Sequence, residues 1–271
     1  MEFPFIKMHG LGNDFVIVDY HASDVKLALP TTDDIILLAD RHLGVGCDQL
    51  IILKKPISER EDCVMEIYNS DGSRAGACGN ATRCVALLLG QPTCNVSVGD
   101  RVLKATKLAG GKFAVNMGMP LYDWEDIPLE REVDNPLNVN FGLRLPQGAC
   151  VNMGNPHVVF FVPNMEGIDL ASIGRTIEHH SIFPQQANVS FAVITNKGHI
   201  HLHTWERGVG KTSACGSAAC AAVAAGNKLG LLDANVTVHL QYGQLEIELL
   251  ASGEVMMTGP ASLVARGIAY I

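Results

Sequence analysis

The 271-residue sequence lacks any apolar run near the ~18 residues that a membrane-spanning helix needs, so a membrane span is not expected. It has no apolar targeting segment in its first thirteen residues, so a secretory leader is not expected either. Its lysines and arginines form no cluster, and the formal net charge is −8. Nucleic acid and anionic membrane surfaces are therefore unsuited as partners. Charged residues make up only 18%, against 48% hydrophobic, which excludes a disordered polyelectrolyte and allows a sizeable core. No cysteine pair is spaced as CxxC, and no Cys/His cluster has zinc-finger spacing. No metal site is expected. The eight cysteines read as free thiols of a reducing, cytoplasmic compartment.

What the sequence does contain is itself, twice. Gly12-Asn13-Asp14-Phe15-Val16 resembles Gly154-Asn155-Pro156-His157-Val158 at an offset of 142. Asp48-Gln49-Leu50 resembles Ala187-Asn188-Val189 at 139, and Ala77-Cys78-Gly79-Asn80-Ala81 resembles Ala214-Cys215-Gly216-Ser217-Ala218 at 137. Val115-Asn116-Met117-Gly118-Met119-Pro120 resembles Val255-Met256-Met257-Thr258-Gly259-Pro260 at 140. Matches in one order at nearly one offset indicate a tandem duplication. Four of the twelve prolines fall in 118–148, which reads as a linker with edge strands. The expected domains are 1–118, with 262–271 returning to it, and 119–261.

Residues 15–19, 49–53, 158–162, 189–194 and 199–205 read as strands. Residues 80–89 and 217–226 read as helices apolar all round, which means buried helices. The expected fold is α+β: two pseudo-symmetric domains, each a mostly antiparallel sheet wrapped around a central apolar helix.

In each half a Cys-Gly pair immediately precedes that helix. A helix N-terminus exposes unpaired amides and partial positive charge, which lowers a thiol pKa and binds carboxylates. If the halves face each other, Cys78 and Cys215 come to opposite sides of one bound molecule. Two opposed acid/base groups fit stereoinversion at an acidic carbon. The amides of Gly79, Asn80, Gly216 and Ser217 would stabilise enolate-like charge on the substrate carboxylate, so no cofactor is required. Cys84 and Cys220, inside the helices, read as packing residues, as do Cys63, Cys94 and Cys150. Cys47 has no counterpart in the second half.

These residues are similar to those of the diaminopimelate epimerase family over nearly the whole chain. The matching stretches are Lys7-Met8-His9-Gly10-Leu11-Gly12-Asn13-Asp14-Phe15, Tyr68-Asn69-Ser70-Asp71-Gly72-Ser73, Ala77-Cys78-Gly79-Asn80, Arg83-Cys84, Met153-Gly154-Asn155-Pro156-His157, Glu206-Arg207-Gly208 and Ala214-Cys215-Gly216-Ser217. The resemblance implies an isomerase interconverting LL- and meso-diaminopimelate, in lysine and peptidoglycan precursor biosynthesis, in the cytoplasm and as a homodimer. It implies Cys78 and Cys215 as the catalytic thiols. Asn13, Gln49, Asn69, Asn155, Asn188, Glu206 and Arg207 become substrate-binding positions, with His157 in support. Arg207 suits a distal carboxylate and Glu206 an ammonium.

Three residues depart from the family's usual pattern. Ala81 and Ala218 replace a third glycine in each loop, and Lys211 stands where the family commonly has Glu. The alternative within the same chemistry is a cofactor-independent racemase or epimerase of proline, hydroxyproline or histidine. A thiol redox sensor is the alternative of a different class.

Overall fold

A computed structural model describes residues 1–22, 28–76 and 78–271. Ala77, part of the repeated motif, lies outside the described residues. The chain divides into two compact units, Met1–Val115 with Gly259–Ile271, and Asn116–Thr258.

The first unit runs β1 (Glu2–Gly10), β2 (Asn13–Asp19), α1 (Thr32–Ala39), β3 (Gln49–Lys54), β4 (Cys63–Asn69), β5 (Arg74–Ala75), α2 (Gly79–Leu89), β6 (Thr93–Val98), β7 (Arg101–Lys107) and β8 (Lys112–Asn116). The second runs β9 (Gly148–Asn152), β10 (Pro156–Val162), α3 (Leu170–Glu178), β11 (Asn188–Asn196), β12 (His199–Glu206), β13 (Gly210–Thr212), α4 (Gly216–Lys228), β14 (Asn235–Leu240), β15 (Gly243–Leu249) and β16 (Val255–Pro260). The final strand β17 (Ser262–Tyr270) pairs antiparallel with β1, from Glu2 opposite Tyr270 to His9 opposite Ser262.

The two orders are the same, and so are the pairings. β2 and β3 run parallel, as do β10 and β11. β4 and β6 run parallel, as do β12 and β14. The remaining pairs between strands of one unit are antiparallel. Register carries the repeat to single residues: Phe15 sits opposite Gln49, and His157 sits opposite Asn188. This is the fold expected from the sequence, a duplicated α+β architecture.

The central helices are buried as their composition dictates. Every α4 residue from Gly216 to Gly226 is buried, and the small alanines let the surrounding strands approach closely. α2 is buried from Gly79 to Ala86 and ends at Gly90 in the left-handed conformation, with φ 70°.

The Pro-rich stretch 118–148 is not a free linker. Ile127, Leu129, Val139 and Phe141 are buried in the core of the second unit beside Phe160 and Phe191. The ring of Phe141 packs edge-on to Phe160 at 5.5 Å. Leu121 and Val139 form isolated bridges with Asn152 and Gly148. Prolines prevent regular pairing there, while the apolar side chains between them still find the core.

Candidate functional site

In the first unit the site is built around the start of α2. Cys78 is the N-cap, in extended conformation, and its sulfur accepts the Ala81 amide at 3.4 Å. Its thiol also faces Asn13 Oδ1 at 3.8 Å. Asn13 stands at the start of β2, and the same Oδ1 accepts the Asn80 side-chain amide at 3.1 Å. Asn80 Oδ1 in turn accepts from Arg83 Nη2 at 2.9 Å, and Arg83 Nε donates to the Pro260 carbonyl at 3.1 Å. Arg83 is fully buried and is the one charged residue of α2. A buried guanidinium persists only when its donors are used, and here they brace Asn80 and the strand leading to β17. Gly10 is required by this packing, because a Cβ there would meet Arg83 Nη2 at 2.9 Å.

Asn13 is held from its other side by Asp48, which accepts Asn13 Nδ2 at 3.0 Å and the Asp14 amide at 3.2 Å. Arg41 bridges Asp14 and Asp48, and Lys7 donates to Asp14 and to the Gly46 carbonyl. Burial would raise the Asp14 pKa, but hydrogen bonds and charge from Arg41 and Lys7 outweigh it and hold the carboxyl at about 2. Gln49 Nε2 donates to Asn69 Oδ1 at 3.1 Å across β3 and β4. Asn13, Cys78 and Asn80 are thus joined by hydrogen bonds at the start of α2, and Gln49 and Asn69 form a second pair on β3 and β4.

In the second unit Cys215 caps α4, and its sulfur lies 3.5 Å from the Ser217 hydroxyl. It is 5% exposed, whereas Cys78 is only half-buried. Burial pushes the Cys215 thiol pKa well up, and the Glu206 carboxylate, which hydrogen-bonds it, adds to the rise. The Ser217 hydroxyl and Ala218 amide only partly oppose this. The helix N-terminus alone would have lowered it, so desolvation wins over the dipole. Glu206 also accepts the Thr212 hydroxyl.

Asn188 Oδ1 accepts the Arg207 amide at 3.1 Å, and its Nδ2 donates to the Pro156 carbonyl at 2.9 Å. Arg207 Nη1 donates to the Gln185 carbonyl at 3.0 Å. His157 is completely buried, with Nε2 bonded to Asn155 Oδ1 at 2.8 Å and Nδ1 without a partner among the described residues. Burial, helped by the Arg207 charge, holds its pKa at about 3, so the ring is neutral.

Symmetry relates these sets by position: Asn13 to Asn155, Gln49 to Asn188, Asn69 to Glu206, Cys78 to Cys215 and Asn80 to Ser217. Ala81 and Ala218 lie in the first turn of ordinary α-helix, and neither has positive φ. Alanine in place of glycine is thereby accommodated in both halves.

Sequence reasoning gave no role to the braces: to Asp48 and Arg83, met only inside repeated or matching motifs, or to Thr212 and Glu178, whose carboxylate takes both Trp205 Nε1 and the Gly208 amide at 2.7 Å. The one sequence signal was Arg83, a lone cation inside an apolar helix.

The repeated two-domain fold is shared with a hydroxyproline epimerase from Agrobacterium vitis, at TM-score 0.69 and 14% identity over 98% of this chain and 92% of that one. It is shared equally with a phenazine biosynthesis protein of the PhzF family from Bacillus anthracis, at TM-score 0.69 and 15% identity over the whole of both chains. At that identity the likeness establishes the fold. The sequence narrows it. The family model for diaminopimelate epimerase matches residues 5–120 and again 149–264. The diaminopimelate epimerase of Rhodospirillum centenum is 43% identical over 97% of this chain and 91% of its own. That of Erythrobacter litoralis is 44% identical over 98% and 97%. The chain belongs to the diaminopimelate epimerase family, and so is an isomerase of the racemase and epimerase type.

Proposed function

We propose that the chain interconverts LL- and meso-diaminopimelate by proton transfer at one Cα between Cys78 and Cys215, without a cofactor. The observation that carries this reading is the paired placement of a cysteine at the N-cap of each buried central helix. One thiolate removes the Cα proton from one face, and the opposite thiol delivers a proton to the other. The amides of Gly79 and Asn80, and of Gly216 and Ser217, hold the reacting carboxylate and take up the negative charge that develops on it. The raised pKa of Cys215 suits a thiol that starts as the acid, and Glu206, already hydrogen-bonded to it, suits its proton exchange.

Asn13, Gln49, Asn69, Asn155 and Asn188 would bind the polar ends of the substrate without adding charge. Arg207 would take the distal carboxylate and Glu206 an ammonium. His157 supports Asn155. The substrate places the enzyme in lysine and peptidoglycan precursor synthesis in the cytoplasm. We propose a homodimer as the working form, since β17 exposes Leu263, Val264, Ile268 and Tyr270.

Epimerisation of LL-diaminopimelate by wild type, Cys78→Ala and Cys215→Ala tests the proposal. Each variant should lose about a thousandfold or more in kcat, with proline and hydroxyproline not inverted by wild type. Substantial activity in either variant, or preferential inversion of proline, would overturn it.

A further inference from the structure

A groove of about 410 Å³ on the second unit is lined by His201, His203 and Lys211, by His239 from the neighbouring strand, and by Thr212 and Gln241. No carboxylate among the described residues lines it. The geometry follows from the strands. His199, His201 and His203 alternate along β12 and so project from one face, and β14 sets His239 beside His201 in register. The His239 ring stacks on both neighbours, at 5.4 Å from His199 and 4.9 Å from His201, and its Nε2 lies 3.1 Å from His199 Nδ1.

Lys211 sits on the adjacent β13, where it pairs with Trp205, and makes no salt bridge among the described residues.

We infer that this groove is a binding site for a small polyanion of the phosphate or polycarboxylate class. A metal cation is the wrong sign for a groove holding a free ammonium. No group of three or more His, Cys, Asp or Glu among the described residues is arranged to hold one. An anion instead would relieve the repulsion already present. Burial and the charges of Lys211 and His201 depress the His203 pKa, and burial with His201 and His199 depresses that of His239. Gln241 adds a neutral hydrogen-bonding group, while the Thr212 hydroxyl is already donated to the Glu206 carboxylate behind it.

Other elements contribute little opposing charge. Across β11 the partners of His199, His201 and His203 are Asn196, Val193 and Phe191. On β15 Gln244 faces His239, and the exposed Glu246 lies two pairs further on, opposite Thr237. On α3, which packs against β12 and β13, Asp169 is occupied capping the helix, Arg175 is exposed and Glu178 is bound to Trp205 and Gly208. Anion affinity should therefore rise as His203 and His239 gain protons, which their depressed pKa values place below the free-imidazole value of 6.5.

The test is titration of the full-length protein with inorganic pyrophosphate and, separately, with citrate. It is read by calorimetry and by the imidazole proton resonances, with saturating diaminopimelate present to block the thiol site. At least one anion should bind saturably, shift the His201, His203 and His239 signals, and bind about tenfold more tightly at pH 5 than at pH 8. Preference for pyrophosphate assigns the phosphate class, and preference for citrate the polycarboxylate class. The exposed Lys211→Glu should weaken binding by about tenfold or more, and His203→Gln should reduce its pH dependence. Circular dichroism should show both variants folded. No saturable binding of either anion, or binding indifferent to Lys211→Glu, overturns the inference.

Discussion

Asn13 Oδ1 accepts the side-chain amide of Asn80 at 3.1 Å while facing the thiol of Cys78 at 3.8 Å. One oxygen thus links β2 to the first turn of α2. Asn13→Ala removes that link and leaves the buried Asn80 amide without its acceptor. The expected cost is about 1–2 kcal/mol in stability, together with a fall in kcat larger than any change in KM. Urea unfolding and steady-state kinetics check it, and a normal kcat would show that Asn13 only braces the fold.

Arg207 keeps one nitrogen on the Gln185 carbonyl, which fixes the plane of the guanidinium and leaves its other donors for a carboxylate. Arg207→Lys preserves charge but not the fork. KM for diaminopimelate should rise by about tenfold or more. An unchanged KM would remove Arg207 from the substrate site.

Cys78 and Cys215 should differ in reactivity without ligand. Cys78 is half-buried, and the other seven cysteines are buried. Cys215 also has its pKa raised by burial and by Glu206. Limited iodoacetamide at neutral pH, followed by peptide mapping, should find Cys78 modified well before Cys215. Equal rates would contradict the buried, protonated state of Cys215.

His157 gives a stability signature with a definite sign. Its pKa is about 3 in the folded protein, against 6.5 for a free imidazole. Between those values the unfolded chain binds a proton that the folded chain refuses. The contribution of His157 is therefore complete above the free-imidazole pKa and is lost progressively as pH falls toward 3. By pH 5 this amounts to about 2 kcal/mol. Unfolding midpoints of wild type and His157→Gln, compared at neutral pH and pH 5, should show the steeper loss in wild type. Parallel losses would show that His157 titrates normally.

The sequence made the two central helices legible because an all-apolar helix has no solvent face. Observed α2 and α4 begin one residue before the spans read from composition. The repeat was legible because both halves conserve the residues at turns and caps, where backbone geometry restricts choice. The short α1 and α3 were not legible, since helices of 8 and 9 residues are stabilised chiefly by packing. The core role of 118–148 was hidden by its prolines. The pKa of Cys215 was misjudged because a helix N-terminus is visible in sequence and burial is not. Asp48 and Glu178 went unnoticed because their partners are distant in the chain.

The central claim is that two different thiols act on opposite faces of one carbon. Incubating LL-diaminopimelate with the enzyme in deuterium oxide, and analysing both isomers by mass spectrometry early in the reaction, tests it most directly. The proton removed by one thiolate stays on that side, while the opposite thiol delivers deuterium from solvent. The meso product should therefore carry one deuterium at the inverted carbon, while the remaining LL substrate is still unlabelled. Early product that retains the original proton would mean that a single base serves both faces, and would contradict the account.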